Sequence, residues 1–189
     1  MRIINFEEFN LEKPLLLDSI INGAVFIYPT DTIYGVGCNA QDTKAVKKIR
    51  SLKSRATNPF SVIAPSVDWI RQNCIVTEKA ENWLLKLPGP YTFIFKLKKK
   101  QSVSKEVNKG IDTLGIRIPN HWIKNIARDA GIPIVTTSVN KSNEDYMTSV
   151  EDMDDSIKGS IDFTIYEGQK EGKPSTVVDL TGTPKVMRR

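Results

Sequence analysis

Lys53 and Arg55 stand one residue apart and are followed by Thr57, Asn58 and Pro59. Two cations at that spacing can converge on one polyanion, the lysine as a compact charge and the arginine as a planar fork suited to phosphate. The same pair at the C-terminal end of a helix also complements the helix dipole, so spacing alone leaves both readings open. Arg117 lies inside the apolar stretch Leu114 to Ile118, where a charge is costly unless something meets it. A bound carboxylate or an internal ion pair would each do so. In Pro133-Ile-Val-Thr-Thr-Ser-Val-Asn140 an apolar run leads into Thr136, Thr137, Ser138 and Asn140. These groups donate and accept hydrogen bonds without charge, and they suit an uncharged side chain, a ribose or the cap of the next element. Pro29-Thr-Asp-Thr-Ile-Tyr-Gly-Val-Gly37 sets hydroxyls and a carboxylate before two glycines. Such a stretch either brings backbone close to a ligand or makes a tight turn. It is not a GxxxxGK[ST] phosphate loop, and no GxGxxG occurs anywhere.

Other chemistries are narrowed by what is scarce. His121 is the one histidine, and Asn120-His-Trp-Ile reads as the first turn of a helix capped by Asn120 rather than as the home of a general base. With Cys38 and Cys74 the only cysteines and no CxxC pair, a Cys/His zinc site cannot be assembled. A net charge of +5, from 27 basic and 22 acidic residues, favours an anionic partner. The N-terminus lacks a charged-then-apolar signal, and no apolar run is long enough to span a bilayer, which points to the cytosol.

Positioning these groups requires alternating strands and helices. The pattern predicts helices over Pro14 to Ile21, from an Asp42 cap through Leu52, over Glu78 to Leu87, and an acidic one over Val150 to Ile157. Trp122, Ile123, Ile126 and Ala127 form a further apolar helix stripe. Strands are expected at Ala24 to Tyr28, Phe60 to Ala64, Tyr91 to Leu97, Leu114 to Ile118, Pro133 to Thr137, Ile161 to Tyr166 and Thr176 to Leu180. The polar, glycine-containing stretch Glu167 to Pro174 reads as a mobile loop. The order fits an α/β domain with a mixed sheet.

Six strings, PTDTIYGVGCNA, KSRATNPF, LPGPYTFIFKLKK, LGIRIPNHW, VTTSVN and PSTVVDLTG, resemble the YrdC family of threonylcarbamoyl-adenylate synthases in order and spacing. The resemblance runs from about residue 15 to the end. It implies a single YrdC-like domain over 1–189 of the short form, with a twisted mixed sheet, flanking helices and a concave basic face. It implies condensation of L-threonine, bicarbonate or CO2 and ATP to threonylcarbamoyl-AMP and pyrophosphate, for tRNA modification, with Mg2+ carried on the ATP phosphates. By the same resemblance Thr32, Arg117, Thr136 and Ser175 lie near threonine, with Arg117 the partner of its carboxylate. Lys53 and Arg55 act on the triphosphate with Asn58, while Thr113, Ser138, Asn140 and Arg188 lie near the nucleotide. Proteins that accept the adenylate for tRNA modification are the implied partners. The sequence departs from the family after Asn140, over Ser142 to Tyr146, and at Ala64, where some relatives carry a histidine. A rival reading is an RNA-binding module that uses the basic concave face. Its support is the net charge and the run Lys96, Lys98, Lys99 and Lys100, although no aromatic residues interleave with them for stacking. RNA held in that way would be bound non-specifically, through phosphates alone.

Overall fold

The computed structural model describes residues 1–54, 57–141 and 145–187. In chain order its elements are β1 (Arg2–Ile4), α1 (Phe6–Leu11), α2 (Lys13–Ile21), β2 (Phe26–Tyr28), β3 (Gly35–Gly37), α3 (Thr43–Leu52), β4 (Ser61–Ile63), α4 (Val67–Asn73), β5 (Cys74–Ile75) and α5 (Glu78–Leu84). They continue with β6 (Tyr91–Leu97), α6 (Lys105–Asn108), β7 (Thr113–Arg117), α7 (Lys124–Ala130), β8 (Ile134–Ser138), α8 (Asp155–Lys158), β9 (Phe163–Ile165), β10 (Thr176–Asp179) and β11 (Lys185–Met187). The strands form one mixed sheet in the order β1-β9-β2-β3-β8-β4-β7-β6-β10-β11, with β5 added beside the end of β6. Among the described residues no helix is long and apolar enough to cross a membrane.

Helices cover both faces of the central strands, which is why β2 reads as a near-continuous apolar run. Side chains alternate across a strand, and β2 shows the consequence. Phe26 and Tyr28 join a cluster with Phe9, Leu16, Ile20 and Ile126 from α1, α2 and α7. Val25 and Ile27 join the opposite cluster with Val46, Ile49, Ile70 and Leu84 from α3, α4 and α5. The α3 helix starts as its sequence dictates, Asp42 accepting from the Lys44 and Ala45 amides at 2.7 and 3.2 Å.

Several elements differ from the sequence reading. The acidic helix of 150–157 is two short pieces, a 3-10 turn at Val150–Asp152 and α8, divided where Met153 turns extended and Asp154 caps α8. Asn120 does not cap a helix: α7 begins after Ile123, and the Asn120 amide donates to Asp31 at 2.8 Å. The two glycines of the Pro29 motif lie in a strand, not a turn. Gly37 faces β8 so closely that a Cβ there would sit 2.2 Å from the Val135 carbonyl oxygen and 2.8 Å from the Tyr28 ring. That glycine is required by packing rather than by a ligand.

Candidate active site

The sheet gathers hydroxyls at one level. Gly35 of β3 pairs with Ser138 of β8, and Thr136 of β8 pairs with Ser61 of β4. Phe93 pairs with Ile116 across β6 and β7, which brings Thr92 level with Arg117 one step further on. Ser175, just before β10, shares a hydrogen bond of 2.8 Å with Thr92. Apart from Phe93 and Ile116, these residues wall a cleft of about 300 Å3 together with Thr30, Thr32 and Tyr146. Arg117 is the one charged side chain in its described lining. The wall is therefore polar rather than broadly basic.

Arg117 ends β7 with its side chain only 7% exposed. Its Nη2 donates to Asp31 Oδ1 at 2.6 Å, and Nη1 and Nη2 both reach Thr32 Oγ1 at 3.3 Å. The internal ion pair that the sequence left open is present, and the guanidinium still forms part of the cleft wall. Thr32 is fixed in turn, because the Thr30 hydroxyl accepts from the Thr32 amide at 3.0 Å and donates to the Ile33 carbonyl at 2.7 Å.

Lys53 does stand at the end of a helix, but it is not exposed there. It is the C-terminal cap residue of α3 and is 2% exposed. Its Nζ donates to the Ser138 and Asn140 carbonyls at 2.7 and 2.8 Å and to Asn140 Oδ1 at 2.7 Å. Asn140 Oδ1 also accepts from the Ser138 hydroxyl at 2.7 Å. The lysine thus ties the end of α3 to the loop that leaves β8. Arg50, one turn earlier, is likewise buried and donates to the backbone carbonyls of Glu106, Asn58 and Val107.

The remaining positions divide. Thr32, Arg117, Thr136, Ser138 and Ser175 all line the cleft. Asn58 is exposed beside the lining residue Pro59. Thr113 shares a strand face with Arg117, four residues away, and lies outside the cleft wall. Arg55, Arg188 and Ser142 lie outside the described residues. Thr30, Ser61, Thr92 and Tyr146 were not singled out from the sequence. A buried hydroxyl inside the apolar run Tyr91 to Leu97 was the available signal for Thr92.

The stretch Glu167 to Pro174 holds no regular element, and it is tied down rather than loose. The Tyr34 hydroxyl donates to the Gly168 carbonyl at 2.6 Å and accepts from the Glu167 amide at 3.0 Å. Burial pushes that phenol up to about 12, so it stays a donor. The Tyr146 hydroxyl donates to the Gly172 carbonyl at 2.9 Å. Gly172 lies against Thr32 so tightly that a Cβ would fall 1.7 Å from the Thr32 carbonyl oxygen. At the outer side Glu167 accepts from the Trp122 indole and lies 3.0 Å from His121 Nε2. Burial lowers His121 below its ordinary value despite the attraction of Glu167, so near pH 7 the contact is a neutral imidazole hydrogen-bonded to the Glu167 carboxylate rather than an ion pair. This strap is one rim of the cleft, through Pro174 and Ser175.

The lysine run is elsewhere. Thr92 is on the cleft, whereas Lys98 lies six residues along the same chain direction, roughly 20 Å away at strand rise. Lys98 donates to the Arg71 carbonyl at 2.8 Å. None of Lys96, Lys98, Lys99 and Lys100 belongs to the described cleft wall.

The Sua5/YciO/YrdC family model, described as "Telomere recombination", matches residues 18–189. This chain belongs to that family. It is 36% identical over 187 residues, 95% of the chain and 87% of the relative, to a Methanocaldococcus jannaschii protein named "Putative threonylcarbamoyl-AMP synthase". Its fold superposes on P. abyssi Sua5 complexed with L-threonine with a TM-score of 0.85 at 30% identity, covering 99% of this chain and 56% of that one. E. coli YciO matches with a TM-score of 0.83 at 26% identity, covering 100% and 93%. The chain thus spans a little over half of the Sua5 protein and nearly all of YciO.

Proposed function

We propose that the protein is an L-threonylcarbamoyladenylate synthase, a nucleotidyltransferase serving tRNA modification. The observation that carries the reading is Arg117, a buried guanidinium and the one charged side chain in a described cleft wall rich in hydroxyls, within a fold matching a threonine-bound relative over 99% of the chain. A guanidinium offers two parallel donors to a carboxylate, and the hydroxyls of Thr32, Thr136 and Ser175 suit the rest of a small polar amino acid.

In this reading threonine's amine and bicarbonate combine to a carbamate with loss of water. A carbamate oxygen attacks the α-phosphorus of ATP, the α–β bridging P–O bond breaks, and pyrophosphate leaves. The nucleophile is already anionic, so the protein's part is positioning and charge stabilisation rather than general base catalysis. Lys53 serves by holding Ser138 and Asn140 in place at the nucleotide side and by lending that wall a positive charge. Asn58 and Thr113 extend the site outward along the nucleotide. Arg55 is assigned to the phosphates from its place in the KSRATNPF string, and Arg188 to the nucleotide from its resemblance to the arginine that follows the family's last strand. Magnesium arrives with ATP, held mainly by phosphate oxygens and water.

Pyrophosphate release tests the reading. It is expected only when ATP, threonine and bicarbonate are all supplied, and release that ignores omission of threonine would remove it.

A further inference from the structure

We propose that Asp31 is a positioning residue that aims Arg117 at the substrate carboxylate. The inference rests on the threonine-adenylating reading above and deepens it. Arg117 belongs to the cleft wall and Asp31 does not, so the carboxylate lies behind the guanidinium rather than among the groups that touch substrate. Both side chains are close to fully buried, at 7% and 10% exposure. Asp31 divides its two oxygens: Oδ1 accepts from Arg117 Nη2 at 2.6 Å, and Oδ2 accepts from the Asn120 amide at 2.8 Å. One carboxylate therefore joins the turn after β2, the last residue of β7 and the turn that follows β7.

A long arginine side chain has many rotamers, and a buried one needs its orientation fixed before it can meet a carboxylate with both donors. Asp31 at one end and Thr32 Oγ1 along the edge fix it here. Asparagine at position 31 would keep the size but could accept through one oxygen only. It could satisfy either Arg117 or Asn120, and its amide NH2 would oppose the other donor. The guanidinium would then be free to turn away from the cleft.

A second role is conceivable on charge alone. If Asp31 merely neutralised Arg117, removing its charge would leave a more positive pocket and tighter threonine binding. The two roles predict opposite signs.

Calorimetric titration of threonine and, separately, of ATP into wild type, Asp31→Asn and Asp31→Glu decides between them. Asp31→Asn is expected to weaken threonine by about 10- to 100-fold, the size of a lost charge-assisted hydrogen bond. ATP affinity should stay within about twofold. Asp31→Glu keeps the charge and both oxygens, and should lose only about three- to tenfold for threonine. Unchanged or tighter threonine binding in Asp31→Asn, or equal losses for both ligands, would overturn the inference. If Asp31→Asn does not fold, Asp31→Glu carries the test through KM. The threonine KM should rise several-fold with the ATP KM within about twofold, and movement of both or neither overturns it. Wild-type protein that fails to bind threonine at all would overturn the functional reading and this inference together. Wild-type binding that survives Asp31→Asn intact would sink this inference alone.

Discussion

Removing the Lys53 ammonium should unfold the protein more easily as well as slow it. Among the described residues the ammonium meets three oxygens within 2.8 Å, a socket of two backbone carbonyls and the Asn140 carboxamide. A hydrogen bond to a charged group is worth about 1.5–3 kcal/mol, and a buried acceptor left unmet costs about 1–3 kcal/mol. These terms overlap because the three bonds share one donor group, so about 3 kcal/mol in total is the reasonable sum for Lys53→Ala. In a chain of this length each kcal/mol shifts the midpoint by about 2–4 °C, which gives a fall of about 6–12 °C. Lys53→Met keeps the aliphatic stem and should recover little of that loss, since the stem is not what fills the socket. Pyrophosphate formation should fall on the order of 10²-fold or more through the displaced Ser138 and Asn140. Melting curves on both variants, with activity measured well below the midpoint, make the test. An exposed cation at a helix end predicts a midpoint within about 2 °C of wild type, and that result would refute the socket.

Arg117→Lys should weaken threonine by about 10-fold or more while ATP affinity changes little, because an ammonium cannot serve Asp31 and a substrate carboxylate with parallel donors. Separate titrations check it, and intact threonine binding with a lowered melting midpoint would make Arg117 an ion-pair residue only. Gly172→Ala must push the strap off Thr32, since its Cβ would lie 1.7 Å from the Thr32 carbonyl. The threonine KM should rise by about 10-fold, and an unchanged value would show that the strap does not shape the site. The pH dependence follows from His121, whose pKa burial lowers on folding. Protonation then favours the unfolded chain, so this contribution is full above pH about 6.5 and is lost as pH falls toward the folded value. The melting midpoint should drop across that window in wild type and less so in His121→Gln, and parallel slopes would discard the histidine as the cause.

Where periodicity and local chemistry decide structure, the sequence was readable. Tyr91 to Leu97 alternates cleanly and is β6 to the residue, and Asp42 caps α3 as its position before an amphipathic run demands. Elements whose reason is distant were not readable. Gly35–Gly37 forms a strand because β2 and β8 flank it and leave no room for side chains at Gly37, which nothing within the motif reveals. The same limit applied to the site. A charge inside Leu114 to Ile118 announced that Arg117 needed a partner, but Asp31 lies 86 residues away in sequence. The acceptors of Lys53 lie 85 and 87 residues away, so nothing near the lysine in sequence showed that its ammonium is tied to the loop after β8. The Ser61 hydroxyl carries no local mark that separates a cleft wall from ordinary strand polarity, and Thr92 is marked only by its place in an apolar run. Only the register of β4, β6, β7 and β8 places them together.

The central claim is that carbon from bicarbonate and nitrogen from threonine end in one adenylate. Mass spectrometry of the nucleotide products formed from ATP, 15N-threonine and 13C-bicarbonate tests it directly. The account predicts an AMP adduct that carries both labels and forms in step with pyrophosphate. An adduct with the 15N label but no 13C, meaning threonine adenylated on its own carboxylate, or AMP with no adduct at all, would contradict it.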